Sequence, residues 1–111
     1  MEITSRNENG VVVAGLAGRM DAVSAPVFDA WLAERLQAKE QRLVLDMSAL
    51  EYISSAGLRS LLAAAKQLKA VGGAVVLCSI SGTVEEVFRM SGFLAIFKVA
   101  GSAAEAVESF A

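Results

Sequence analysis

Short apolar runs alternate along this chain with longer segments in which apolar residues recur at helical spacing. The turn signal Asn9-Gly10 predicts an antiparallel hairpin near the start of the chain, because both residues tolerate positive φ in a tight turn. The hairpin joins a weak, polar strand to a strong, apolar one, and three later apolar runs predict buried strands. The predicted strands are Ile3–Glu8, Val11–Ala17, Leu43–Leu45 ending at Asp46, Ala74–Cys78 and Leu94–Val99.

Four further segments predict helices. The second of them has one apolar face, formed at helical spacing by Leu58, Leu61, Leu62, Ala65 and Leu68. The predicted helices run from Ser24 to about Lys39, from the end of a loop at Ser48–Ala56 to Gly72-Gly73, over Gly82–Ser91, and from Ser102 onward. The expected N-caps are Ser24, either Ser81 or Thr83, and Ser102 with Glu105 as a capping box.

The order of elements is β-β-α-β-α-β-α-β-α, which predicts an α/β fold. Helical crossovers of this length between strands favour parallel pairing. We therefore expect a single mixed β-sheet with an N-terminal antiparallel hairpin, parallel remaining strands and about four packed helices. The length of 111 residues suits one hydrophobic core, so residues 1–111 are interpreted as a single domain.

Composition argues against several classes of function. The formal net charge is −2 and the sequence pI is near 5.1, which disfavours direct nucleic-acid binding through phosphate neutralisation. The chain contains no histidine, which excludes histidine bases, triads and metal ligands. Cys78 is the single cysteine and cannot form an internal disulfide or a multi-cysteine metal site. We expect no cofactor.

The apolar runs are much shorter than the roughly 20 residues that a membrane-spanning helix requires. The N-terminus lacks the apolar core of a signal peptide. We therefore expect a cytoplasmic protein without membrane insertion. The sequence also lacks a Gly-x-x-x-x-Gly-Lys-Ser/Thr loop, so any ATP would have to come from a partner.

The most informative stretch runs from Leu45 to Arg59, from a strand end through a loop into the start of a helix. Sites in open α/β sheets gather beyond the carboxyl ends of strands, and helix N-termini tolerate anions. Ser54 and Ser55 are followed by the small residues Ala56 and Gly57, which leave the helix start accessible. For an isolated pair of serines before a helix, a purely structural N-cap is the favoured interpretation.

Three segments carry motifs that occur together, in this order, in one known family. Gly18-Arg19-Met20-Asp21 resembles that family's Gly-x-Leu-Asp loop after the second strand. Tyr52 to Leu58 resembles its segment Phe-Met-Asp-Ser-(Ser/Thr)-Gly-Leu, and Ser79 to Phe93 resembles its strand-helix segment ending in Met-Ser-Gly-Leu. Over nearly its whole length, the chain resembles the STAS-domain family of anti-sigma factor antagonists. The resemblance implies a STAS-like fold.

The resemblance also implies a protein-interaction switch. The unphosphorylated form would bind an anti-sigma factor with serine kinase activity and so release a sigma factor, and phosphorylation would end the binding until a serine phosphatase reset it. The family's acceptor is the serine directly after the Asp, which maps to Ser55. Ser54 stands where the family has that Asp, and Ala56 stands where it has a second Ser or Thr. Ser54 is therefore a competing acceptor.

The expected partner-binding surface comprises two segments that follow strand ends, because a parallel arrangement brings both to one edge of the sheet. Its residues are Gly18, Arg19, Asp21, Ser54, Ser55, Gly57, Leu58 and Arg59. Asp21 could equally cap the first helix. Arg59 could meet a partner's carboxylate, meet the phosphoserine, or remain solvated. Asp46 could order the Ser54–Ser55 loop or simply end a strand. We expect a monomer.

Two other functions stay open. STAS domains also serve as non-phosphorylated scaffold subunits of transporter-associated or signalling complexes, and the loss of the family Asp at Ser54 favours this alternative. An enzyme with Ser55 as its nucleophile is disfavoured, because the chain has no histidine and the Ser54–Ser55 loop has no lysine. We therefore expect no enzymatic activity.

Overall fold

The computed structural model describes residues 1–111 and contains one five-stranded mixed sheet. Its strands are β1 (Glu2–Glu8), β2 (Val11–Met20), β3 (Arg42–Ile53), β4 (Ala74–Cys78) and β5 (Lys98–Ala100), which lie side by side in this order. β1 and β2 pair antiparallel through the turn at Asn9 and Gly10, whose φ angles are 53° and 79°. All other neighbours pair parallel. The predicted mixed sheet is confirmed.

The helices follow the predicted order. They are α1 (Ala25–Gln37), α2 (Ser55–Ala70), α3 (Gly82–Ser91) and α4 (Ala103–Glu108), with a short 3-10 turn at Phe93–Ala95. Ser102 caps α4 as expected, since its hydroxyl accepts from the Glu105 N–H at 3.2 Å. The Glu105 carboxylate accepts from the N–H of Gly101 rather than from that of Ser102, so the second bond of the predicted capping box does not form. Ser81 occupies the N-cap position of α3.

The two faces of the sheet are covered unequally. α1, α2 and α3 pack on one face and form the larger core, whose central residues include Phe28, Leu61 and Phe88. α4 alone packs on the other face, where Val107 contributes to a smaller cluster that includes Cys78. Alternating residues of the central strands therefore have apolar contacts on both faces, which explains the nearly continuous apolar runs in β2 and β4.

Two predicted loops prove to be strand. β2 continues through the predicted loop Gly18–Asp21 as far as Met20, and β3 continues through most of Ser48–Ala56 as far as Ile53. The extensions pair with each other and contain register shifts. Polar, exposed positions such as Ser48 and Glu51 interrupt the apolar pattern of β3, which is why the pattern indicated a loop.

The last strand is shorter than the predicted Leu94–Val99. The backbone from Phe93 onward first forms a helical turn, in which the N–H of Phe97 donates to the carbonyl of Phe93 at 3.2 Å. The turn buries Phe97 against Phe88, with ring centroids 6.2 Å apart. Only Lys98–Ala100 then pairs with β4.

Candidate functional site

The carboxyl ends of β2 and β3 lie next to each other and lead into α1 and α2. Met20 and Ile53, the last residues of the two strands, are register partners. The N–H of Ser54 extends the contact by donating to the carbonyl of Met20 at 2.9 Å. This arrangement brings the predicted Gly18–Asp21 and Ser54–Arg59 segments to one edge of the sheet, as parallel pairing predicts.

The two adjacent serines have different environments. Ser54 is half-buried in an extended conformation, and its hydroxyl accepts a hydrogen bond from the N–H of Gly57 at 3.3 Å. It is therefore the N-cap of α2. Ser55 is the first residue of the helix, is exposed, and makes no side-chain hydrogen bond. The N-cap alternative that the sequence left open thus applies to Ser54, and the hydroxyl of Ser55 is free.

Gly57 allows α2 to begin directly against the ends of both strands. A Cβ atom at this position would lie 2.8 Å from Ile53 Cγ1 and 2.8 Å from the carbonyl oxygen of Met20. These separations are too short for any side chain, so the backbone approach requires glycine. Gly57 and its neighbour Leu58 are both buried. Neither residue therefore presents an exposed side chain at this edge.

Asp21 organises the turn between β2 and α1. Its Oδ1 accepts from the N–H groups of Val23 and Ser24, each at 3.0 Å. These bonds, above all the one from the Ser24 N–H, hold the pKa of the Asp21 carboxyl below its usual range, and the nearby Arg19 guanidinium acts in the same direction. The turn predicted to follow β2 therefore forms around a carboxylate that is kept ionised.

Ser24 stands at the N-cap position of α1, as predicted, but its hydroxyl does not cap the helix. It donates to the carbonyl of Arg19 at 2.7 Å and accepts from the N–H of Asp21 at 2.9 Å. The buried side chain thereby ties the start of α1 back to the end of β2. The sequence did not predict this role, because a serine before a helix looks the same whether its hydroxyl caps the helix or bonds back to the preceding strand.

Arg19 lies across the two strand ends. Its guanidinium carbon is 4.2 Å from the centroid of the Tyr52 ring, and its Nε is 3.9 Å from Asp21 Oδ2. Gly18, with φ +92°, stands at a register shift that brings Arg19 opposite Tyr52. The sequence motif included Tyr52 but gave no indication that it would support this arginine.

Arg59 is exposed on α2 and takes part in none of the ion pairs of the structure. It borders a shallow groove of about 480 Å³ between α1 and α2, whose lining includes Pro26, Asp29, Ala56 and Ala63. Its lining starts on α2 at Ala56, the residue after Ser55. A free cation next to small side chains is suited to receive an acidic side chain of another protein.

Neither of the two roles considered for Asp46 holds, because it neither bonds to the Ser54–Ser55 loop nor ends a strand. It sits within β3, opposite Gly15 and Cys78 of the neighbouring strands, and accepts from the N–H of Ser48 at 2.9 Å. Cys78 is fully buried, and burial, with a smaller effect from the charge of Asp46, raises the pKa of its thiol. The predicted inert role of Cys78 agrees with this environment.

No three acidic, cysteine or histidine side chains come together in a group that could hold a metal ion. No helix has both the length and the apolar character needed to cross a membrane.

Comparison with known proteins gives a consistent result. The STAS domain family matches residues 2–106. The Bordetella bronchiseptica protein BtrV, whose name describes an anti-sigma factor antagonist, is 44% identical over 110 residues, which cover 99% of this chain and 95% of BtrV.

Solved structures agree in fold. A protein from Thermotoga maritima described as an anti-sigma factor antagonist superposes with a TM-score of 0.90 at 23% identity, covering 96% of this chain and 92% of that chain. The phosphorylated form of the Bacillus cell fate determinant SpoIIAA superposes with a TM-score of 0.75 at 21% identity, covering 99% of this chain and 100% of that chain.

Proposed function

This chain belongs to the STAS domain family, and we propose that it is an anti-sigma factor antagonist controlled at Ser55. The unphosphorylated form binds an anti-sigma factor that is also a serine kinase, and a sigma factor is thereby released. Phosphorylation of Ser55 ends the binding, and a serine phosphatase restores it. The name of BtrV, at 44% identity over nearly the full length of both chains, supports this assignment.

The observation that carries the proposal is the free, exposed hydroxyl of Ser55 beside a capping Ser54. In the reaction, the Ser55 Oγ attacks the γ-phosphorus of an ATP held by the kinase. The Oγ–phosphorus bond forms, the bond to the leaving ADP breaks, and the hydroxyl proton passes to a base of the kinase. Ser54 is a poorer acceptor, because its hydroxyl is half-buried and already bonded to the N–H of Gly57.

The partner contacts Arg19, Asp21, Ser55 and Arg59 in this proposal, while Gly57 and Leu58 hold the surface in shape. A phosphate on Ser55 adds roughly −1.5 to −2 charge and considerable bulk to the contact. The phosphate is added to a surface that already carries the negative carboxylate of Asp21. A partner that fits the unmodified surface therefore meets both extra charge and extra volume. If the complex thereby loses about 3–4 kcal/mol of binding free energy, its affinity falls by two to three orders of magnitude.

The test is to incubate the purified chain with the candidate kinase from the same genome and ATP, and to map the modified residue by mass spectrometry. We expect phosphate on Ser55, none in Ser55→Ala, and continued modification in the matched control Ser54→Ala. Calorimetric affinity for the kinase should fall at least 100-fold on phosphorylation. Modification at Ser54 would overturn the residue assignment, and modification at Ser55 with unchanged affinity would overturn the mechanism.

A scaffold role is the second candidate, and the presence of Ser54 in place of the family's Asp favours it. In that role, the same surface binds its partners regardless of Ser55. The two functions separate in one experiment, since a scaffold stays unmodified and keeps its affinity when kinase and ATP are present, whereas the antagonist is phosphorylated and loses affinity. For both candidate functions, we propose that residues 1–111 form one binding domain, which acts as a cytoplasmic monomer without catalytic activity of its own.

A further inference from the structure

Arg59 lies one helical turn beyond Ser55 on α2. Residues four apart on a helix are surface neighbours, with Cβ atoms about 5–6 Å apart. Both side chains are exposed, the Ser55 hydroxyl makes no hydrogen bond, and Arg59 makes no ion pair. An acceptor hydroxyl and an uncommitted guanidinium therefore share one face of the first two turns.

We propose that a phosphate on Ser55 pairs with Arg59 and thereby withdraws Arg59 from the partner. This inference rests on the proposed function, because it explains how a phosphate on Ser55 acts on the contact surface. Phosphate with guanidinium forms strong, charge-assisted and often bidentate hydrogen bonds. The order of the two groups is also favourable, because an acidic group N-terminal to a basic one at this spacing agrees with the helix dipole.

The other charged groups around the site leave this pairing open. Arg19 is held over the Tyr52 ring and beside Asp21, at the end of β2. Asp29 of α1 lines the same groove as Arg59 but forms no ion pair with it within 4.0 Å. Glu51, near the end of β3, is exposed and unpaired. Arg59 is thus the uncommitted cation on the face of Ser55.

The consequence is a switch with two parts. Before modification, Arg59 stands free at the edge of the small-residue groove and is available to an acidic side chain of the partner. After modification, the phosphate both adds negative charge and occupies Arg59. A partner then loses an ion pair in addition to meeting the new charge, so a single covalent change alters two contacts.

The experiment uses the full chain with phosphoserine incorporated at position 55 during translation, which requires no kinase. Titration of the phosphorus NMR signal with pH gives the second pKa of the phosphate, ordinarily about 6. Arg59 favours the dianion and lowers this pKa, so Arg59→Gln should raise it by about 0.4 unit. Arg59→Lys keeps the charge and should restore most of the effect.

The matched control is Lys66→Gln, which removes an exposed, unpaired cation from the same helix. Lys66 lies about 16 Å from Ser55 along the helix axis, beyond the screening length of about 8 Å at physiological salt, and its removal should leave the pKa of the phosphate unchanged. Equal pKa values in the parent and Arg59→Gln, or equal shifts in the two Gln variants, would overturn the pairing. Kinase modification at another residue would instead overturn the proposed function and leave this result standing.

Discussion

At the scale of single residues, the two serines at the start of α2 have different roles, one structural and one chemical. Ser54 caps the helix and Ser55 offers the free hydroxyl. Ser54→Ala should lower the free energy of unfolding by about 1 kcal/mol, because the Gly57 N–H loses its acceptor. Ser54→Asp should retain the stability, since a carboxylate caps equally well and agrees with the helix dipole. Urea denaturation of both variants measures the difference.

Ser55→Ala is the matched control for Ser54→Ala, since it removes a hydroxyl one residue later that has no hydrogen bond. Its free energy of unfolding should stay within about 0.5 kcal/mol of the parent value. A larger loss in Ser55→Ala than in Ser54→Ala would reverse the division of roles. Residue type alone could not show which serine caps α2, because serine fits an N-cap at either position and helix boundaries are uncertain by one or two residues.

Position 57 requires glycine because α2 packs directly against the ends of β2 and β3 there. Gly57→Ala should lower the free energy of unfolding by about 1–3 kcal/mol, because the new methyl group meets Ile53 and the Met20 carbonyl at 2.8 Å. Gly101→Ala is the control, since its Cβ would meet only the flexible end of Glu105 at 3.1 Å. Equal effects of the two substitutions in urea denaturation would show that α2 can move away from the strand ends.

At the scale of elements, the turn from β2 into α1 depends on an ionised Asp21. Hydrogen bonds from the Ser24 and Val23 N–H groups lower the pKa of Asp21 in the folded chain. A lowered folded pKa gives stability that is fully present above the ordinary value of about 3.9 and is lost as pH falls through the folded pKa. Asp21→Asn should therefore be less stable than the parent at pH 6, and the difference should shrink below about pH 4.

The measurement is thermal or urea unfolding of the parent and Asp21→Asn across this pH range. Asp29→Asn serves as the control, because it removes an exposed carboxylate that accepts no hydrogen bond. A stability difference for Asp21→Asn that stays constant from pH 6 to pH 2 would contradict the role of the charge. The sequence left Asp21 between partner contact and cap, and only the measured geometry shows that Oδ1 is committed to the turn while Oδ2 faces Arg19.

The hydrophobic pattern predicts the boundaries of some elements and not of others. β4 and α3 have the predicted bounds, since Gly72-Gly73 separates β4 from the preceding helix and Gly92 is the C-cap of α3. The extension of β3 to Ile53 was not predictable from its own residues, because its pairing partner is the equally extended end of β2. Tertiary pairing here overrides a polar, loop-like sequence.

At the scale of the whole molecule, the element order and the parallel crossovers were enough to predict the mixed sheet. They were also enough to bring the two motif-bearing segments to one edge. What could not be predicted is how the edge is built. The approach of α2 to Met20 and the stacking of Arg19 on Tyr52 arise from contacts between elements that are distant in sequence. That Arg59 forms no ion pair likewise depends on how those elements pack.

The arrangement of this edge also determines how a phosphate on Ser55 affects the fold. The phosphate would stand at the first position of α2, on the exposed side, where the helix dipole and Arg59 both offset its charge. The stability of the chain with phosphoserine at position 55 should differ from that of the unmodified chain by about 1 kcal/mol or less. For a domain of this size that corresponds to a shift in melting temperature of about 4–8 °C at most. Calorimetry of the two forms, with amide chemical shifts confirming that β2 to β4 are unperturbed, measures this. A collapsed melting temperature would mean that the phosphate acts by unfolding the domain, and the switch would then lie in the fold rather than on its surface.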